Sequence, residues 1–215
     1  LISFTPVAGQ EGTTTFTYTI DDGDGDPSTA TVTVNLEDDS EAVAVNATAQ
    51  VDDDGLPAGN DENSGLDGDL VVSPDPDNDE STFSGTLTAD FGGDTIGSFS
   101  FAGMNGDTGT VGTETVVYSW SGNVLTAPVA AEDGLGDPQD RAGTVLFTVT
   151  VTPATGAYTV DLVNNILHAD DDTNTENHAS ATLTFTATDN EGDPDDGTLT
   201  ITFDDDAPTA RRASR

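Results

Sequence analysis

The chain has 215 residues, of which 41 are acidic and four are arginine, with no lysine and a formal net charge of −37. Such a polyanion lacks the cationic groups that replace phosphate counterions, so nucleic acid is excluded as a partner. No run approaches the roughly 20 apolar residues that cross a bilayer, so no membrane insertion is expected. The absence of cysteine removes any disulfide framework, thiolate metal site or cysteine nucleophile.

An apolar content of 33% in so acidic a chain is the composition of disorder, but the apolar residues are gathered in periodic segments. Residues 15–20 (TFTYTI) alternate with period two, placing Phe16, Tyr18 and Ile20 on one face and the threonines on the other. An acidic turn with Asp22, Asp24 and Asp26 follows, then a second alternating segment at 31–36 and the run Glu37, Asp38 and Asp39. Asp52, Asp53 and Asp54 form the next run. Asp75, Asp77 and Asp79 alternate in a loop that closes with Glu80. Strands are expected at 83–89, 99–101, 116–120, 144–152 and 157–163, and again at 182–188 and 198–203. Another run, Asp170, Asp171 and Asp172, precedes the last two. The turn between them carries Asp189, Glu191 and Asp193, and Asp204, Asp205 and Asp206 close the series. Gly, Asp, Asn and Pro fill the gaps, as turn chemistry requires, and no stretch keeps helical periodicity. The expected class is all-β, an immunoglobulin- or cadherin-like β-sandwich with acidic calcium-binding loops.

The chain repeats itself. Residues 15–41 align without gaps to 182–208, an offset of 167 residues, with identities at Thr15/Thr182, Asp22/Asp189, Gly25/Gly192, Asp26/Asp193, Pro27/Pro194 and Thr33/Thr200, among others. The shared unit is a hairpin with a Gly-Asp-Pro turn and an acidic exit. It divides the chain into three parts: 1–39, the closing hairpin of a preceding or discontinuous module; 42–206, a complete module; and 207–215, a linker or tail holding Arg211, Arg212 and Arg215. A repeat of this length implies a tandem array in which each module touches mainly its neighbours. A start at Leu1 and the truncated first unit read as a piece of a longer polypeptide.

The acidic runs ask for a cation. Two carboxylates about 4 Å apart repel by roughly 4 kcal/mol at an effective dielectric of ~20. Calcium, with six to eight oxygen ligands in flexible geometry, suits them better than magnesium. The candidate ligands are Asp22, Asp24, Asp26, Glu37, Asp38, Asp39, Asp52, Asp53, Asp54, Asp75, Asp77, Asp79, Asp189, Glu191, Asp193, Asp204, Asp205 and Asp206. The alternating turn acids resemble the start of an EF-hand loop. Thr33 and Thr200 stand where the bidentate glutamate belongs, so they are not EF-hands. His168 and His178, the two histidines, read as ordinary loop residues. No nucleophile elbow or HExxH motif accompanies them, and no enzyme is expected. Trp120 reads as a core anchor and the threonine rows as a hydrated sheet face.

The stretches TYTIDDGDGDPSTATVTV, VDDDGLPAGN and TFTATDNEGDPDDGTLTITFDDDAP resemble the cadherin-like long repeats of giant RTX-type adhesins exported by type I secretion. The tandem glycine-rich nonapeptides of that class are absent. The resemblance implies a secreted, monomeric, calcium-stiffened module at a bacterial cell surface. Its partners would be neighbouring modules of the same chain and an inserted or distal ligand-binding domain that it holds away from the cell. The alternative is a module that itself binds a glycan or peptide through calcium, with the glycine-rich stretch 91–112 as the place for such a site.

Overall fold

The computed structural model describes residues 3–7, 11–36, 41–53, 56, 81–92, 94–130, 141–168 and 178–204. The described chain is all-β. Its one helical feature is a 3-10 turn at Ala102–Met104.

Strands β1 (Gly12–Asp21) and β2 (Pro27–Leu36) form an antiparallel hairpin of their own, with Phe16 opposite Val32 and Tyr18 opposite Ala30. The remaining strands are β3 (Val43–Val45), β4 (Ala47–Asp52), β5 (Thr82–Thr86), β6 (Thr88–Asp90) and β7 (Ile96–Ser100), followed by β8 (Thr108–Val111) and β9 (Glu114–Val117). Then come β10 (Ser119–Ser121), β11 (Val124–Pro128), β12 (Val145–Val151), β13 (Ala157–Leu162), β14 (Ala179–Asp189) and β15 (Pro194–Asp204). One sheet is five-stranded in the order β10-β11-β12-β13-β5, and another is four-stranded in the order β4-β15-β14-β7. Among the described residues every pairing is antiparallel except β4 with β15. Two short ladders, β3-β6 and β8-β9, complete the set.

The alternation seen in the sequence decides which faces meet. Leu183, Phe185 and Ala187 of β14 and Leu199, Ile201 and Phe203 of β15 are buried, whereas the threonines between them point outward. They share one core with Phe147, Val149 and Val151 of β12 and Tyr158 and Val160 of β13. The rings of Phe147 and Phe203, one from each large sheet, lie 5.0 Å apart. Tyr158 crosses the same interface to donate its hydroxyl to Thr48 O at 3.2 Å. The buried charge of Glu114 is met by Arg141 at 3.1 Å, whose second nitrogen donates to Asn165 O.

Two segments expected as single strands are each broken. The segment 83–89 becomes β5 and β6, which join different ladders, with Leu87 between them donating its N–H to Gly156 O at 2.8 Å. The segment 116–120 divides into β9 and β10 at Tyr118, whose backbone instead bonds Asp107 O and the Gly106 N–H. In both cases the chain changes sheet while its local pattern stays strand-like. Strands β3, β4, β8 and β11 were not foreseen. In particular, Asp52 of the second acidic run is the last residue of β4, buried by parallel pairing with β15.

Candidate metal site

Each long hairpin is turned by an aspartate. In the first, Asp22 Oδ1 accepts the backbone N–H groups of Asp24, Gly25 and Asp26 at 3.2, 3.0 and 2.9 Å. Gly25 has φ +96°, a conformation that glycine adopts without steric cost. The closed turn brings carboxylate oxygens of Asp22, Asp24 and Asp26 within 4.8 Å of one another, all exposed. This cluster could hold a metal ion. The Asp22 carboxyl is held below the ordinary carboxylate value, first by its side-chain hydrogen bond with Asp24 and next by the Asp26 N–H.

The second turn repeats this geometry in a different setting. Asp189 Oδ1 accepts the N–H groups of Glu191, Gly192 and Asp193 at 3.0, 2.8 and 2.9 Å. Here Asp189 is only 2% exposed, and its Oδ2 is buried without a hydrogen-bond partner. The burial comes from β7, which pairs with β14 up to Asp189 opposite Ile96. Thr95 donates both its N–H and its hydroxyl to Asn190 Oδ1, and Asn190 returns its N–H to Thr95 O. These bonds draw Asp94 alongside Glu191. Glu11, just ahead of β1, completes a trio whose carboxylate oxygens all lie within 4.8 Å. Three segments far apart in sequence therefore converge at one end of the two-sheet unit. At the same end Asp195 Oδ2 accepts the N–H of Ala44 at 2.7 Å, fastening β3 to the turn.

The opposite end of β15 carries a second acidic group. Asp204 and Asp52 are register partners on adjacent parallel strands, 5% and 7% exposed, and Asp53 beside them is 8% exposed. His178 Nδ1 stands 2.5 Å from Asp204 Oδ1, and Gln50 Nε2 donates to Asp204 Oδ2. His178 and His168 line one cavity of about 400 Å³ together with Thr110, Thr113 and Ser180. The span of β15, Pro194–Asp204, separates the two ends by about 33 Å at roughly 3.3 Å per residue.

Residues 38–202 match the family model described as a domain of unknown function, DUF5801. The chain belongs to the DUF5801 family. Residues 1–35 match the model of a bacterial Ig domain. Comparison with curated proteins gives no match. The boundary between the two matched ranges falls just after β2. Glu11 thus comes from the Ig-matched part, and Asp94 and Glu191 come from the DUF5801 part. The repeat offset adds a correspondence: Glu11 and His178 are equivalent positions, each just ahead of the first strand of its hairpin.

Several expected ligands are placed by this arrangement. Asp22, Asp24 and Asp26 come together as the sequence suggested. Glu191 groups with Glu11 and Asp94, while Asp189 is engaged by the turn backbone. Asp52, Asp53 and Asp204 gather at the far end, and Asp193 sits in the second turn, its N–H given to Asp189. Glu37, Asp38, Asp39, Asp54, Asp75, Asp77, Asp79, Asp205 and Asp206 lie outside the described residues, as do Asp170, Asp171 and Asp172. Sequence reasoning missed Glu11 and Asp94 because neither lies in an acidic run. Only the pairing of β7 with β14 and the position of the first hairpin bring them in.

Proposed function

We propose that the DUF5801 unit is a calcium-stiffened spacer in a secreted bacterial surface adhesin, a β-sandwich of immunoglobulin or cadherin kind that holds a ligand-binding domain away from the cell. The observation that carries this reading is the convergence of Glu11, Asp94 and Glu191 within 4.8 Å. Three carboxylates brought together by the fold oppose it by mutual repulsion, and a hard cation with a preference for oxygen turns that repulsion into attraction. Because Glu11 precedes the first hairpin and the other two belong to the following unit, a bound ion would tie consecutive units together. The acidic group at Asp52 and Asp204 marks the opposite end of the same unit, where the next junction would form.

The mechanism is a change of stiffness governed by calcium concentration. Where calcium is scarce, repulsion at the junction loosens the connection between units. Outside the cell, calcium binding favours the folded, joined state by RT ln(1 + [L]/Kd). For a site of the extracellular class, with Kd about 10⁻⁴ M, ~10 mM calcium contributes about 2.7 kcal/mol. The alternative of a glycan- or peptide-binding surface finds less support around 91–112, where Phe91, Phe99, Phe101 and Met104 are buried. Trp120 packs on Phe101 with ring centroids 6.4 Å apart rather than standing as an open platform.

Thermal unfolding in EDTA, in calcium and in magnesium tests the proposal, with small-angle scattering to follow the relative freedom of the two parts. A calcium-specific rise in melting temperature with a more extended, less variable particle is expected. Equal curves in all three conditions would mean that the carboxylates are merely solvated, and the spacer mechanism would be withdrawn.

A further inference from the structure

The first hairpin has a large apolar face and the second hairpin shows what such a face is for. Phe16, Tyr18, Ile20, Val32, Val34 and Leu36 stand 167 residues before Leu183, Phe185, Ala187, Leu199, Ile201 and Phe203. The cross-strand registers agree as well: Phe16 pairs with Val32 as Leu183 pairs with Leu199, and Gly12 with Leu36 as Ala179 with Phe203. In the second hairpin these side chains are 0% exposed and lie on the five-stranded sheet. In the first, Tyr18 is 38% and Ile20 61% exposed, Phe16, Val32, Val34 and Leu36 are only half-buried, and no residue of β1 or β2 belongs to the core cluster. The opposite faces correspond too, for both carry threonine pairs, with Thr19 bonded to Thr29 at 2.8 Å and Thr182 to Thr200 at 3.4 Å. The outward face is therefore already defined, and among the described residues the apolar face is an inner face that no second layer fully covers. An isolated two-stranded hairpin is marginal in water, so this layer is needed for the hairpin's own stability.

We infer that the apolar face of β1-β2 docks against a five-stranded sheet of the kind formed by β10-β11-β12-β13-β5, supplied by an adjoining module of the same polypeptide. The bacterial Ig match of residues 1–35 agrees with an occupant of immunoglobulin type. The face presents no carboxylate and no cation, although the chain carries a net charge of −37. Its occupant is thus an apolar sheet and not a charged partner. The inference rests on the internal duplication and is independent of calcium.

Hydrogen exchange on two chains provides the test. In the 215-residue protein, the β1-β2 amides are expected to exchange about 100-fold faster than those of β14-β15, as an uncovered element should, and sedimentation should show a monomer. The second chain carries residues 42–178 placed directly ahead of Gly12, the position equivalent to Ala179, so that the protein's own five-stranded sheet is the probe. There the β1-β2 amides should become as protected as those of β14-β15. Replacing Tyr18→Thr and Ile20→Thr in the longer chain should remove that protection and leave β14-β15 unchanged. Fast exchange of β1-β2 in the longer chain would overturn the inference. So would equal protection of both hairpins in the monomeric 215-residue protein. A dimer of that protein with a protected first hairpin would also overturn it, by assigning the face to a second copy.

Discussion

Replacing Glu191→Gln should change stability in opposite directions with and without calcium. The trio Glu11, Asp94 and Glu191 holds its carboxylate oxygens within 4.8 Å. Two unit charges at that separation repel by about 0.9 kcal/mol in bulk water and about 3.5 kcal/mol at an effective dielectric of ~20. Glu191 is exposed, so the water-like value is the better guide. The substitution removes two of the three repelling pairs and keeps an oxygen for the Asn190 side-chain amide that now contacts Glu191. In EDTA at low ionic strength the variant should therefore be more stable by about 1–2 kcal/mol, a rise of about 2–8 °C in Tm for a chain of this size. In ~10 mM calcium the order should reverse, because the variant loses a charged ligand and with it most of the ~2.7 kcal/mol that a site with Kd about 10⁻⁴ M would contribute. Differential scanning calorimetry of both proteins in both buffers provides the measurement. An equal calcium-induced shift in the two proteins would refute the reasoning, as would a variant less stable in EDTA. Either result would mean that Glu191 contributes neither repulsion nor ligation.

Other consequences follow from the packing and the titrating groups. Phe203→Ala removes a ring that is 0% exposed and 5.0 Å from Phe147. It should lower stability by about 3–5 kcal/mol, whereas Ile20→Ala on the uncovered hairpin face should cost under about 0.5 kcal/mol; urea titration distinguishes the two. Gly156 has φ +71°, and a Cβ there would overlap Leu87 O, so Gly156→Ala should cost more than about 1 kcal/mol by the same measurement. The Asp22 carboxyl is held below its ordinary 3.8, so its contribution to the first turn is present above that value and is lost as pH falls through the depressed one. An acid titration followed at the Gly25 and Asp26 amides by NMR should show the turn loosening only below pH 3.8. Burial pushes Tyr118 from 10.0 up to about 12. Over that interval the unfolded chain binds fewer protons than the folded one, so stability should fall from pH 10 to pH 12. Spectrophotometric titration should find Tyr118 ionising late, and Tyr158, which burial also raises, ionising above the ordinary phenol value.

The sequence by itself determined the elements whose signal is local. Period-two alternation located the paired strands around residues 15–36 and 182–203, because side chains of a strand point alternately to its two faces. The same alternation separates apolar side chains from threonines on opposite faces, and the structure makes the face of Leu183, Phe185 and Ile201 the inner one. The gapless repeat fixed the correspondence between the hairpins, and the Asp-x-Asp-x-Asp spacing marked a turn whose carboxylates would meet, as Asp22, Asp24 and Asp26 do. What depended on distant partners was decided only by the tertiary structure. The parallel pairing of β4 with β15 makes Asp52 of an acidic run a strand residue and buries it beside Asp204. The divisions at Leu87 and Tyr118 occur where the chain passes between sheets. Glu11 and Asp94 join Glu191 although they stand 180 and 97 residues before it. A strand's period reports which way a side chain points, but not which strand will lie beside it. Pairing between strands far apart in sequence is set by the closure of a shared core, so the local turn cluster could be read in advance and the junction cluster could not.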